Sequence, residues 1–489
     1  MTRSVAVIGG GISGLAAAHR LLANDPTLDV VLFEREERLG GKIMTERRDG
    51  YVIEAGPDSF LSVKPRGVGL SRELDLDERL IEPDERNRGA FVLHRGALVP
   101  IPEGLSGLVP SRLAPILKTP LLSHRGKLRL AADLLIRPRQ SGDDESLASF
   151  VERRLGREAF ERLIEPLMSG IYAGDGRQLS LAATFPNLRS AELSHGGMLR
   201  GAIAARTEAA RRHDGMATRR GFLSFPTGMA ELVETLHARI EMAGGTIRSG
   251  ATISAIRPRS DLQPGYELEI DGPGSALRGA FDAVIVATPA WAASPLVRPW
   301  SADAADALAG IEHVSNAIVV AAVATSQMTR PIIGTGYVVP RAENRPVMAV
   351  TWSSLKWRDR APDDRVLVRA FIGRAGRQHD LDGDDAHLTR LALAELREVM
   401  GIAGEPELSR VFRWERGMPQ YNLGHLDRVA RIQAGISAVP GIEIAGNMFR
   451  GVGIPDCIAS GEDAADAILP GVAALPPIAQ VERQATSGL

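Results

Sequence analysis

Ser4-Val5-Ala6-Val7-Ile8-Gly9-Gly10-Gly11-Ile12-Ser13-Gly14-Leu15 is the stretch on which the fold turns. Ser4–Ile8 is a short β-branched run, Gly9–Gly14 a glycine turn, and Leu15–Ala23 has helical composition; Asp29–Phe33 is a second apolar run, closed by Glu34. A strand, a crossover helix and a second strand within about thirty residues make a βαβ unit with parallel strands. In the turn, Gly9 permits the tight bend, Gly11 lets backbone approach a pyrophosphate, and Gly14 lets helix lie on strand. The helix N-terminus adds free N–H groups and a positive dipole, with Gly10, Ile12 and Ser13 completing the cradle. Glu34, twenty residues past Gly14, puts a carboxylate where it can accept ribose hydroxyls and would repel a 2′-phosphate. The plain alternative is a tight glycine turn that holds nothing.

Outward from this unit the chain is long. Its 489 residues exceed what one core supports and suggest about three structural units. Lys+Arg of 58 against Asp+Glu of 60 gives no general electrostatic case for nucleic acid. The single cysteine, Cys457, excludes an intrachain disulfide and a Cys-rich metal site, and it reads as a small buried thiol. The ten histidines show no metal-ligand spacing, so no metal is expected. No signal-peptide pattern and no membrane-length apolar run occur, which predicts a cytoplasmic protein.

Helical composition dominates from Gly104 to His195, with candidates at Gly126–Ile136, Ser146–Gly156 and Arg157–Met168. A helix at Met229–Ala243 precedes strand-like runs at Thr246–Ile256 and Phe281–Thr288, so the chain is expected to return to its first domain. Asn316–Val323, Gly336–Val339, Val347–Thr351 and Arg365–Phe371 read as one mostly antiparallel sheet. Gly441–Leu469 then gives a strand, a glycine turn and a helix. In that turn, backbone N–H groups of Val452, Gly453 and Ile454 can face a ligand.

A second glycine pair follows the acidic residue in Arg38-Leu39-Gly40-Gly41-Lys42, and Glu54-Ala55-Gly56-Pro57-Asp58-Ser59 comes soon after. A longer dinucleotide than NAD would use both; a surface hairpin is the plain reading. Here the chain resembles the FAD-dependent amine-oxidase-like superfamily. Three further segments narrow the likeness: Leu163–Asp175, Trp414–Tyr421 with Gly424-His425, and Ala445–Gly461. These resemble the porphyrinogen oxidases of Gram-positive-type bacteria, a family that groups coproporphyrinogen III oxidases with protoporphyrinogen oxidases.

The resemblance implies α/β plus α+β architecture: a discontinuous Rossmann-like FAD-binding domain (1–58, 221–290, 440–470), a mixed-sheet substrate-binding domain (59–96, 205–220, 291–439) and a helical subdomain (97–204). Residues 471–489 are expected to fray. It also implies noncovalent FAD, with Arg35, Lys42 and the Gly56-Pro57-Asp58-Ser59 run among its contacts. Ile253 matches the family's adenine-holding position, although it reads equally as a core isoleucine. Trp414 is carried over as a flavin contact; it and Tyr421 also read as core aromatics. For substrate, Thr335 and Val338 match a segment lying over the macrocycle, and Lys64 is a candidate carboxylate partner. Ordinary sheet residues and a solvated lysine are the bland readings.

The implied reaction is oxidation of coproporphyrinogen III to coproporphyrin III by O2, a six-electron conversion yielding H2O2 in haem biosynthesis. No catalytic acid or base is assigned, because the flavin carries the difficult step. Protoporphyrinogen IX is the alternative substrate. Ala90 stands where mitochondrial and plant protoporphyrinogen oxidases carry an arginine, which favours a substrate with more carboxylates. More distant readings are an amine oxidase, a carotenoid desaturase, or a non-catalytic flavin-binding partner of haem-pathway enzymes. Ferrochelatase-type enzymes are the implied protein partners. Arg112, Lys118, Arg125, Lys127, Arg129, Arg137 and Arg139 form a basic stretch with interleaved leucines. It reads as a solvated cationic face, a peripheral membrane contact or a dock for an anionic substrate.

Overall fold

The computed structural model describes residues 3–103, 105–106, 109–110, 113–211, 221–259, 265–271 and 278–474. A five-stranded parallel sheet carries the first unit, in the order Thr246–Arg248, Asp29–Phe33, Ser4–Ile8, Ala283–Val286, Ile442–Ile444. Its continuous apolar runs follow from covering both faces. Val5, Val7, Val30, Leu32, Ala283 and Ile285 join one buried cluster, while Ala6, Ile8, Val31, Phe33, Val284 and Val286 join the other. The first cluster is covered by helices Ile12–Asn24, Ala230–Met242 and Ile454–Ala474. The first and last of these touch closely, since a β-carbon on Gly461 would lie 2.0 Å from the Ser13 carbonyl oxygen.

A seven-stranded sheet stands beside it, in the order Leu408–Pro419, His313–Ala324, Arg365–Ile372, Val347–Trp352, Gly336–Val338, Phe91–His94, Ala97–Pro100. All neighbours are antiparallel except Gly336–Val338 with Phe91–His94. Helices Leu147–Leu155, Glu165–Tyr172 and Pro186–His195 build a third core around Phe150, Leu163, Met168 and Leu188. Inside it Arg154 pairs with Asp133 at 2.5 Å, both side chains fully buried. The helix expected over 157–168 runs on to Tyr172 through a π turn at Phe160–Ile164. Pro166, which has no N–H to donate, lies just beyond that turn.

Several sequence boundaries move. Thr246–Ile256 is not one strand: Thr246–Arg248 edges the parallel sheet, Gly250 turns the chain at φ +69°, and Thr252–Pro258 opens a separate three-stranded antiparallel sheet. The segment 59–96, expected with substrate, is split. Phe60, Leu70, Leu74, Leu76 and Leu80 pack into the nucleotide-side core, whereas Phe91–His94 joins the large sheet. Helices Ala290–Val297, Ala302–Ala309 and His425–Ser437 cover the other face of the parallel sheet, so much of 291–312 and 425–439 packs there too. A boundary at 97 would cut the Phe91–Pro100 hairpin, and one at 205 would cut helix Met198–Arg211. Of the tail expected to fray, residues 471–474 continue the last helix. Residues 475–489, 212–220 and Arg112 lie outside the described residues.

Candidate functional site

The glycine turn has the geometry its spacing implies. Gly9 adopts φ +111°, and a β-carbon on Gly14 would sit 1.9 Å from the Gly9 carbonyl oxygen, so helix and strand meet only through glycine. Gly11 differs. Its φ of −71° suits any residue, and a β-carbon there would meet nothing within 4 Å. It opens onto free space at the N-terminus of the first helix, with no side-chain cap and no acidic residue in the first turn. Such an end attracts an anion. Glu34 accepts the Gly10 N–H at 2.7 Å.

The second glycine element closes over the first. Gly40 N–H donates to the Gly10 carbonyl at 2.8 Å, and a β-carbon on Gly41 would lie 3.2 Å from the Gly11 Cα. Arg38 donates to the Gly41 carbonyl at 2.6 Å and lies over the Trp414 ring, while Trp414 Nε1–H donates to the Ala55 carbonyl at 2.7 Å. Gly56 approaches the Lys42 carbonyl so closely that a β-carbon would overlap it. Lys42 has no hydrogen-bond or ion-pair partner among the described residues, and burial lowers its pKa. A solitary cation beside two glycine turns suits an anionic or carbonyl-rich ligand.

From the opposite side comes the last helix, entered through Val452-Gly453-Ile454. Asp456 in its first turn accepts the Gly453 N–H at 3.2 Å and pairs with Lys64 at 2.5 Å. The two helix N-termini lie together, Ser13 of the first hydrogen-bonding the Cys457 thiol of the last, and Lys42 stands near them. Its charge acts on the buried Cys457, whose thiol burial pushes up to about 11. The cradle is glycine-lined, with two helix ends and one lysine, unpaired among the described residues, beside the Glu34 and Asp456 carboxylates, and it fits an extended dinucleotide.

Residues 12–469 match the family described as flavin containing amine oxidoreductase. The chain belongs to that family. Among its relatives, the coproporphyrinogen III oxidase of Bacillus subtilis (strain 168) is 35% identical over 467 residues, covering 94% of this chain and 97% of that protein. That of Staphylococcus aureus is 34% identical over 475 residues, covering 96% and 99%. A crystal structure from Exiguobacterium sp. 255-15, bearing the name protoporphyrinogen oxidase, superposes with TM-score 0.83 at 34% identity, covering 96% of this chain and 99% of that one.

In this flavin-family chain other sequence candidates fall differently. Asp58 does not point a free carboxylate at a ligand. Both oxygens lie 2.9 Å from Lys356 Nζ, Trp357 Nε1–H donates at 3.2 Å, Ser59 Oγ donates at 2.7 Å, and Arg369 stands at 3.5 Å. Burial works to raise the Asp58 pKa, but the charges of Lys356 and Arg369 outweigh it and hold the carboxyl well below its usual range. Gly56-Pro57-Asp58-Ser59 can therefore serve a ligand through backbone, with Asp58 as its anchor. Arg35 is exposed and pairs with neighbouring Glu36 at 2.8 Å. Ile253 is buried in the core on the other face of the parallel sheet, its backbone paired with Ile270.

Of the substrate candidates, Lys64 is engaged by Asp456, which takes away its freedom to hold a substrate carboxylate. Thr335 turns its hydroxyl to the Gly89 carbonyl at 3.1 Å. Val338 faces helix Glu165–Tyr172, 3.7 Å from where a β-carbon on Gly170 would stand. Gly170 and Ile171 are exposed there, and Leu167, Val338 and Val452 pack on one cluster while keeping open faces. Val452 brings the C-terminal loop to the same cluster. The sequence reading overlooked Arg369 and Arg360, which are buried. Arg369 donates to the Gly56 carbonyl, and Arg360 donates to the Phe225 carbonyl at 2.8 Å and pairs with Glu54 at 3.3 Å. The available signal was one arginine inside the otherwise apolar run Val366–Ile372.

Proposed function

We propose that this protein is an FAD-dependent oxidase converting coproporphyrinogen III to coproporphyrin III, with O2 as acceptor and H2O2 as product. The observation that carries the reading is the full-length similarity to coproporphyrinogen III oxidases, across a chain that holds the glycine cradle described above. Bound in the cradle, FAD would accept hydride from the macrocycle. Gly9–Gly14 and the first helix end take its pyrophosphate, Glu34 its adenosine ribose, and Gly40–Lys42, Gly56–Ser59, Trp414 and Val452–Ile454 the remainder. Val338, Gly170 and Ile171 offer an apolar wall to the tetrapyrrole and exclude water from it. Arg450, exposed at the tip of the C-terminal loop and without a partner among the described residues, is the cation we assign to a substrate carboxylate in place of Lys64. No proton-transfer residue is assigned.

Protoporphyrinogen IX is the second reading, favoured by the name of the Exiguobacterium structure. Anaerobic mixing with each porphyrinogen tests both. Faster flavin bleaching by coproporphyrinogen III is expected; equal or slower bleaching reverses the assignment, and no bleaching by either removes it.

No helix among the described residues is long and apolar enough to cross a membrane. Leu117, Leu128 and Leu135 are 49%, 74% and 86% exposed, and Lys118, Arg125 and Arg137 are exposed among them. We infer peripheral contact of this face with anionic lipid. Co-sedimentation with anionic but not zwitterionic vesicles is expected; sedimentation with neither removes the contact. Docking of a ferrochelatase-type partner has no such feature behind it.

A further inference from the structure

Tyr421 and His425 are both fully buried, one turn apart where the long strand Leu408–Pro419 passes into helix His425–Ser437. Their rings stack at 4.1 Å with 15° between planes. Both polar tips reach the same stretch, the loop 446–453 ahead of the last helix. Tyr421 O–H donates to the Asn447 carbonyl at 2.6 Å and accepts the Gly451 N–H at 2.9 Å. His425 Nε2 faces the Phe449 carbonyl at 3.2 Å and so carries the proton there. Residues 447, 449 and 451 are thus held from behind by one aromatic pair.

The loop is also anchored by apolar burial, Met448 and Phe449 packing into the core on the far face of the parallel sheet and Val452 against the helical core. Gly446 and Gly451 adopt φ +144° and +151°, and among the described residues the other side-chain hydrogen bonds to the loop backbone are Ser460 to the Gly446 N–H at 2.9 Å and Asp456 to the Gly453 N–H. Tyr421 is itself fixed elsewhere, because its carbonyl accepts the Ser180 N–H of the helical unit at 2.8 Å. The pair therefore ties the loop to a part of the molecule outside the cradle.

We propose that Tyr421 and His425 are positioning residues for the flavin, which set the backbone of 446–453 at the height and angle the bound cofactor meets. This rests on the FAD reading above. Neither side chain touches the cofactor in this account; both act through the loop. Removing the Tyr421 hydroxyl leaves the buried Gly451 N–H and the half-buried Asn447 carbonyl without that partner, and the loop relaxes towards whatever satisfies them.

The test strips wild type and Tyr421→Phe of flavin and titrates each with FAD, following flavin fluorescence and visible circular dichroism. Urea unfolding and hydrogen exchange of the Gly451 amide are measured on the flavin-free proteins. Tyr421→Phe is expected to bind FAD about tenfold or more weakly, to shift the visible dichroism of the flavin it retains, and to exchange the Gly451 amide faster. A lowered urea midpoint with FAD affinity and dichroism unchanged would show a merely structural ring and overturn the proposal. Should Tyr421→Phe fail to fold, His425→Phe keeps the stack and loses only the bond to Phe449. Weaker FAD binding with altered dichroism is expected of it, and wild-type values overturn the proposal. A wild type that binds no FAD rejects the cofactor reading instead, and the amide exchange still decides whether the pair holds the loop.

Discussion

Glu34 accepts the Gly10 N–H through Oε2 at 2.7 Å and the Glu36 N–H through Oε1 at 2.9 Å. The carboxylate is oriented by two backbone donors before any ligand arrives, and it fastens the glycine turn to the end of the second strand. Each oxygen keeps an acceptor direction for a ribose hydroxyl. Glu34→Gln sets an amide N–H against one of those backbone donors and removes the charge. FAD binding should weaken about ten- to a hundredfold, the cost of one to two charge-assisted bonds, with far-UV dichroism unchanged. Equilibrium dialysis measures it, and wild-type affinity would remove Glu34 from the ribose.

Gly11 and Gly14, three positions apart in one turn, differ in what an added side chain would meet. Gly11→Val adds a side chain into open space at an ordinary φ, so the fold should stand while the ligand's space is filled. Gly14→Ala drives a methyl into the Gly9 carbonyl and should cost stability, of the order of 1–3 kcal/mol or more. Soluble, flavin-free Gly11→Val with a near-wild-type apo melting temperature is the expected pair of readings. Full flavin content in that variant would show that the turn carries no phosphate.

Asp58 sits between Lys356 and Arg369 with a depressed pKa. A group whose folded pKa lies below its unfolded value, about 3.9 for aspartate, adds stability that is complete above that value and is lost as pH falls towards the folded pKa. Asp58→Asn leaves two cations without their carboxylate, Arg369 almost wholly buried, and should destabilise by about 3 kcal/mol at neutral pH. Its urea midpoint should also fall less steeply than wild type's below about pH 4. Parallel acid titrations of the two proteins check this, and equal slopes below about pH 4 would refute it.

Cys457 lies in the C-terminal segment, yet burial pushes its thiol up to about 11. At pH 8 roughly one molecule in a thousand carries the thiolate. Iodoacetamide should leave the folded protein unmodified by mass spectrometry and label it once after denaturation. Rapid labelling of the native form would make this residue a reactive site.

Local chemistry made the nucleotide half legible: the turn, helix and strands of residues 4–33 follow from a glycine pattern and from runs buried on both faces. The large antiparallel sheet was readable from its β-branched runs. What stayed hidden is long-range. Asp58 and Lys356 are 298 positions apart and Tyr421 and Gly451 are 30 apart, and no periodicity announces either meeting. Likewise nothing in the composition of 65–80 says which of two cores its leucines enter. Lys64 shows the same limit, since only the fold reveals that Asp456 has taken its charge.

That capture changes what substrate selection should rest on. Coproporphyrinogen III carries four propionates, protoporphyrinogen IX two propionates and two vinyls, so the former gains more from each cation at the rim. Lys64→Ala frees Asp456, which also holds the Gly453 N–H, and its effect should fall on FAD retention, alike for both substrates. Arg450→Gln removes an exposed cation that holds no internal partner among the described residues. It should lower kcat/KM for coproporphyrinogen III by about three- to tenfold, the range of a partly solvated charge-assisted contact, and lower it less for protoporphyrinogen IX. Steady-state kinetics of both variants on both porphyrinogens, in matched detergent, separate the two roles. A Lys64→Ala that discriminates between substrates would return that lysine to the substrate, and an Arg450→Gln indistinguishable from wild type would take the arginine away from it.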